Sequence, residues 1–220
     1  MGGGASAAAP AGTARSPGVF LSFEGIDGSG KSTQARRLAE RLRAEGRRVV
    51  LTREPGGSPG AEEIRRLLVE GAAGRWSAET ELLLFNAARR DHLERVIAPA
   101  LAAGAVVICD RFADSTRVYQ GVRGGVRALA DRLQAEVIGL EPHRSFILDM
   151  DPGPALARGL ARGGAEDRFE AMGLGLQARL REGFRALAAE FPERCRLVDA
   201  GRAEAEVAEE IARLAAEVLA

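Results

Sequence analysis

Gly25-Ile26-Asp27-Gly28-Ser29-Gly30-Lys31-Ser32 has the spacing G-x-x-x-x-G-K-[ST]. Glycines at these intervals let successive backbone N–H groups turn inward around a phosphate. A helix that follows adds its positive N-terminal end. Lys31 sits where an ammonium group reaches the β- and γ-phosphates of a nucleoside triphosphate, and the Ser32 hydroxyl sits where Mg2+ is held. Gly25 through Thr33 therefore form the candidate triphosphate-binding set. Val106-Val107-Ile108-Cys109-Asp110 is an apolar run ending in a carboxylate. In a parallel sheet such a strand ends beside the phosphate loop, which makes Asp110 a second candidate near Mg2+ or its waters. A simple helix-capping aspartate is the other reading. Arg53 and Arg111 also follow strand-like runs, and the arginine fork suits a second phosphate group. Two such arginines beside a triphosphate site point to a phosphorylated acceptor; surface ion pairs are the alternative for each.

Lysine occurs once in the chain, at Lys31, among 31 basic residues. The motif Asn-Lys-x-Asp, by which familiar GTPases read guanine, is therefore impossible here. The surviving lysine stands where a compact ammonium and a planar guanidinium are least interchangeable.

These residues need a frame. From residue 19 onward, apolar runs at 19–23, 48–51, 106–109, 145–148 and 196–198 alternate with helical patterns at 32–45, 59–69, 78–103, 128–139, 153–161, 170–190 and 203–219. That alternation predicts βαβ units around a parallel sheet. The strands read as continuous apolar runs, as expected where helices cover both faces. The predicted fold is α/β, a three-layer sandwich with a five-stranded parallel sheet. The Gly-rich, charged stretch 158–168 reads as a short loop-like lid, and residues 1–18, almost all Gly, Ala, Ser, Thr and Pro, read as a disordered tail. The tail matches a myristoylation pattern over 1–6, a match that low-complexity sequence also makes by chance.

At 220 residues the chain is expected to be one domain, by a soft measure of about 150 residues each. Acidic and basic residues balance at 31 each, which argues against a nucleic-acid coat or a polybasic membrane surface. No run approaches the ~18 apolar residues of a membrane span. Cys109 and Cys195 show neither metal-ligand nor redox-motif spacing and read as buried thiols of a cytoplasmic protein.

Taken together, Phe23 through Gln34, Thr52-Arg53-Glu54-Pro55-Gly56-Gly57, Leu84-Phe85-Asn86-Ala87-Ala88-Arg89, and Asp110-Arg111-Phe112 with residues 115–121 resemble thymidylate kinase, in order and in spacing. Arg181-Glu182-Gly183-Phe184 resembles that family's late helix, and Asp167-Arg168-Phe169-Glu170 its lid. The resemblance implies phosphorylation of dTMP to dTDP by ATP with Mg2+, in supply of dTTP for DNA synthesis, by a homodimer. It implies that Arg53 and Arg111 hold the thymidylate phosphate and that Asp27 lies between donor and acceptor near the sugar 3′-hydroxyl. Phe85 would stack on thymine, Arg89 read the base edge, Ser115 and Gln120 contact the base, and Tyr119 crowd the ribose 2′ position. Gly28 and Ser29 stand where some members carry a loop arginine, so the chain resembles the bacterial type, with Arg158 or Arg162 of the lid assisting transfer. On the residues alone, three other readings remain: a kinase for another nucleotide or nucleoside, an ATPase switch for a macromolecular partner, and a non-catalytic nucleotide-binding module.

Overall fold

The structure is a computed structural model describing residues 18–71, 74–162 and 173–219, the side chains of 159–162 excepted. Its five strands are β1 (Val19–Glu24), β2 (Val49–Arg53), β3 (Val106–Asp110), β4 (Arg144–Asp149) and β5 (Cys195–Asp199). All pairings are parallel, in the order β2-β3-β1-β4-β5. Every strand ends on a charged residue: Glu24, Arg53, Asp110, Asp149 and Asp199. Because the strands are parallel, one edge of the sheet collects all five, and that edge is where open α/β sheets bind ligands.

The apolar strand residues divide between two faces with the expected period of two. Phe20, Val107 and Cys109 join Leu93, Ile97, Phe112 and Ile138 in one cluster. Leu21, Phe23, Val106 and Ile108 join the larger one. Helix α1 (Lys31–Ala44) adds Ala35, Leu38, Ala39 and Leu42 to the larger cluster at helical spacing. Helices α2 (Pro59–Val69) and α3 (Ala78–His92) pack together beyond β2. Proline at the first position starts α2, and the Ser77 hydroxyl caps α3 by accepting from Thr80 N at 3.1 Å.

Several boundaries differ from expectation. The single helix predicted over 78–103 is α3, a π-helical turn at Leu93–Ile97, and α4 (Ala98–Ala102). Pro99 has no N–H to bond back into the preceding turn, and the wider π turn accommodates that gap. The pattern at 128–139 is likewise α6 (Arg127–Leu133) followed by a π turn, Gln134–Ile138. A helix that the apolar pattern did not predict, α5 (Ala113–Gly124), follows β3 directly. Helix α7 (Pro152–Arg162) is continuous to Arg162, so residues 158–162 are helical rather than loop; the rest of the expected lid, with Arg168, lies outside the described residues. Helix α8 (Gly173–Glu190) occupies the predicted span from its fourth residue on, the first three lying outside the described residues, and α9 (Glu204–Leu219) closes the fold. Of the predicted tail only Gly18 is described; it is fastened, its N–H bonding Leu101 O at 3.1 Å. Both cysteines are buried and free, and no described helix is long and apolar enough to cross a membrane.

Phe146 of β4 is fully buried and packs on Phe23 of β1 at 5.0 Å between ring centroids. Phe146→Ala is expected to destabilise the chain by about 3–5 kcal/mol, measured as a shift in the urea midpoint at unchanged slope.

Candidate active site

The phosphate loop runs from the end of β1 into α1. Gly25 and Gly28 take φ of 132° and 78°. A Cβ on Gly28 would lie 1.9 Å from Ala155 O of α7, and one on Gly25 would lie 2.6 Å from Leu148 O of β4. Glycine is thus required twice over, by backbone conformation and by close approach. Lys31 is buried, and its Nζ donates to Ile26 O at 2.7 Å, folding the ammonium back over the loop. Burial, with repulsion from Arg111, pushes its pKa down to about 8. Ser32 Oγ donates to Asp110 Oδ2, so the two candidate metal ligands meet at the loop mouth. Asp110 is therefore engaged with the loop, not with a helix cap.

Arg111 ties this loop to the rest of the cleft. It takes φ 70°, the only left-handed non-glycine among the described residues. Its Nη1 donates to Gly25 O at 3.1 Å and Ser115 Oγ at 3.0 Å. Its Nη2 pairs with Asp27 Oδ1 and reaches Tyr119 Oη at 3.3 Å. Tyr119 donates in turn to Asp27 Oδ2 at 3.1 Å. Burial alone would raise the Asp27 pKa; the charges of Arg111 and Lys31 outweigh it and hold that carboxyl below its usual range. Behind Arg111 stands Glu24, fully buried, which accepts from Ser115 Oγ at 2.5 Å and Phe112 N at 2.8 Å. Burial, then the nearby Asp114 charge, raises the Glu24 pKa to about 7.

Beyond Arg111 opens a cleft lined by Asp27, Glu54, Pro55, Arg65, Val69, Phe85, Arg89, Arg111, Phe112, Ser115, Thr116, Tyr119 and Gln120. Seven of the eight residues expected to bind the acceptor line this one space. Half-buried Phe85 and buried Arg89 stand one turn apart on α3, while Ser115, Tyr119 and Gln120 share the buried face of α5. Arg89 is clamped: its Nε donates to Glu54 at 2.7 Å and its Nη2 to Thr116 Oγ1 at 2.8 Å. The Gln120 carbonyl oxygen is buried with no hydrogen-bond partner among the described residues.

Arg53 is the exception. It is half exposed, pairs with Glu62 at 3.1 Å, and lines an adjoining groove with Ser32 and Asp110. In this state it makes the surface ion pair that was the alternative reading. Arg158 is exposed on α7, with Nη1 3.5 Å from Met150 Sδ; the Arg162 side chain lies outside the described residues. The sequence reading missed Glu24, Arg65 and Thr116, as well as the role of Glu54. Glu54 had a signal, since it directly follows the strand-end Arg53. Glu24 had only its place before the phosphate loop.

Comparison with known proteins agrees with this geometry. A family model described as thymidylate kinase matches residues 23–211. The chain is 66% identical over 196 residues to a thymidylate kinase of Dinoroseobacter shibae, covering 89% of this chain and 95% of that one. It is 63% identical over 198 residues to one of Ruegeria pomeroyi, covering 90% and 94%. The crystal structure of thymidylate kinase from Ehrlichia chaffeensis superposes with a TM-score of 0.72 at 37% identity, covering 90% of this chain and 99% of the other. With a family match over most of its length and relatives this similar, the chain belongs to the thymidylate kinase family, the phosphotransferases that phosphorylate dTMP.

Proposed function

We propose that this chain transfers the γ-phosphoryl group of ATP to the phosphate of dTMP, giving ADP and dTDP, through the residues assigned above. The observation that carries the reading is that one partly buried guanidinium, Arg111, touches both the phosphate loop and the neighbouring cleft. An arginine so placed contacts a donor and an acceptor phosphate at once. The acceptor phosphate oxygen attacks the γ-phosphorus, and the bond to the β–γ bridging oxygen breaks. That attacking oxygen is already anionic, so no general base is needed. Positioning and charge neutralisation by Lys31, Arg111 and the N–H groups of Gly28 to Thr33 supply the catalysis. Arg53 gives up Glu62 to hold the acceptor phosphate, and Asp27 receives the sugar 3′-hydroxyl. Arg158 or Arg162, in the second half of α7, stabilises the transferring group.

In the cleft, Phe85 offers a ring face to thymine, Arg89 reads its edge, and Ser115 contacts the base. The unpartnered Gln120 oxygen accepts from the base, and Tyr119 crowds the ribose 2′ position. The Ser32 hydroxyl and Asp110 carboxylate form an oxygen-only donor pair suited to Mg2+, which when bound neutralises charge on the β- and γ-phosphates. The same reading places the enzyme in the cytoplasm, where thiols as buried and free as Cys109 and Cys195 persist. The homodimer rests on the family resemblance alone.

Coupled assay of ADP release from ATP and Mg2+, with dTMP, dUMP, dCMP, AMP or thymidine added separately, is expected to show strong stimulation by dTMP. ADP release that is equal with and without an acceptor would instead favour an ATPase switch. Lys31→Ala should lower transfer by at least about 10²–10³-fold while the chain stays folded, because removing an ammonium destabilised by burial relieves the ligand-free fold. Full activity in the folded variant contradicts the loop assignment.

The Lys31 value also sets a pH dependence. With the folded pKa near 8 and the unfolded value near 10.5, the unfolded chain holds more protons between these pH values. Relative to Lys31→Ala, the free protein should therefore gain stability as pH rises through that window. A bound triphosphate favours the ammonium form, so ATP affinity is expected to fall above pH 8, by up to about tenfold per pH unit. Calorimetry in two buffers of different ionisation enthalpy should record proton uptake on binding. Affinity unchanged across the window would show that the Lys31 ammonium is not the partner of the triphosphate.

A further inference from the structure

Arg89 does not stand alone at the cleft wall. Glu54, which accepts from its Nε, also faces His92 one turn further along α3, with His92 Nδ1 3.0 Å from Glu54 Oε1. His92 Nε2 lies 2.7 Å from Thr52 Oγ1 on β2. His92 is fully buried and does not line the cleft. As a carboxylate, Glu54 accepts only, which places a proton on Nδ1; in the neutral imidazole Nε2 then accepts from the Thr52 hydroxyl. The turn after β2 closes over this chain of bonds. A Cβ on Gly57 would come within 2.5 Å of His92 Nε2 and 2.6 Å of Thr52 Oγ1, and Gly57 has φ 90°. The order Thr52–His92–Glu54–Arg89–Thr116 thus runs from β2 through α3 to α5. Arg89 uses Nε and Nη2 in it, which leaves Nη1 outside this chain of bonds, and Arg89 lines the cleft.

We infer that His92 is a positioning residue for acceptor-base recognition: it holds the Glu54 carboxylate in the rotamer that aims the Arg89 guanidinium into the cleft. A guanidinium fixed this way donates to an acceptor atom on the base edge, such as the thymine O4. It opposes a base that presents an amino group there, as cytosine does. Without His92, Glu54 loses one of its two anchors, and Arg89 loses its fixed direction. Phosphoryl transfer at saturating substrate does not pass through this chain of bonds. The inference rests on the reading that Arg89 faces the acceptor base.

The test compares the full-length chain with His92→Ala, His92→Asn and Arg89→Gln, using dTMP and dCMP as acceptors. His92→Ala is expected to raise the KM for dTMP about tenfold, the scale of a lost bond to a charged group. It should also reduce the dTMP-over-dCMP preference in kcat/KM by a similar factor, with kcat and the KM for ATP within about twofold of the parent chain. His92→Asn keeps an N–H near the Nδ1 position and should restore most of the preference. Arg89→Gln should lose the preference outright. Preference lost in Arg89→Gln but kept in His92→Ala overturns the inference and leaves the base reading standing. Preference kept in Arg89→Gln overturns both. A fall in kcat and ATP affinity in both His92 variants, tracking a lowered thermal midpoint, shows a purely structural role and also overturns the inference.

Discussion

The cleft is organised around the backbone at Arg111. A left-handed φ on a residue with a long side chain costs about 1–3 kcal/mol and persists only where its surroundings over-determine it. Three bonds do so here. Arg111 N donates to Phe23 O at 2.9 Å, Phe112 N to Glu24 Oε1 at 2.8 Å, and Cys109 Sγ to Arg111 O at 3.0 Å. All three partners come from β1 and β3, which are adjacent in the sheet. The turn that this conformation makes sends the guanidinium across the end of β1 to Gly25 and Asp27 and starts α5 at once. The phosphate loop, the ion pair and the α5 wall of the cleft therefore share one local constraint. Glu24 is its buried support, and the bonds it accepts compensate part of the cost of burying a carboxylate there.

In this state the cations of the site already have partners: Lys31 a loop carbonyl, Arg111 the Asp27 carboxylate, and Arg53 the Glu62 carboxylate. Each partner is one that a phosphate oxygen can replace, at least in part. Burial without a compensating anion is unfavourable and lowers the Lys31 pKa, so such pairing holds the side chains close to the positions proposed for them. Preorganisation of this kind is what electrostatic catalysis of phosphoryl transfer requires, because the groups need little rearrangement when charge moves. Arg53 and Glu62 are exposed, and their pair is correspondingly weak and easily exchanged.

How much of this the sequence disclosed depended on range and polarity. The phosphate loop was legible because its geometry is local: glycines, a lysine and a hydroxyl within one turn. Strands β1, β3 and β4 were legible because burial on both faces leaves continuous apolar runs, and the half-buried edge strands β2 and β5 from their shorter apolar runs. Helix α5 was not, although it carries three of the expected acceptor contacts. Polar Asp114, Ser115, Thr116, Arg117 and Gln120 are buried there beside Ala113, Val118 and Tyr119, so hydrophobic periodicity had little to register. The roles of Glu24 and Glu54 were hidden for a different reason. Glu24 meets Ser115 across 91 positions, and Glu54 meets Arg89 across 35, distances at which spacing says nothing about contact. Arg53 shows the converse: its place at a strand end was read correctly, but its present partner, nine residues away on α2, was not.

The solitary lysine closes the account of why these residue types stand where they do. Elsewhere arginine serves every cationic role, in exposed pairs such as Arg41 with Glu209 and at buried Arg117, which meets buried Asp114 and exposed Glu141. Those partners are carboxylates, whose two oxygens match a planar fork. The pocket at Lys31 differs. Its cation lies inside a loop of backbone, bonded to a single carbonyl, with Arg111 already close enough to depress its pKa. A guanidinium there would bring five N–H donors into a space that offers few acceptors, and each donor left unpaired would be costly. A compact ammonium can turn from Ile26 O to an incoming phosphate about one bond, which a fixed fork cannot do. In a chain that uses arginine at its other thirty basic positions, the retained lysine marks the place where shape and hydrogen-bond capacity, not charge, select the residue.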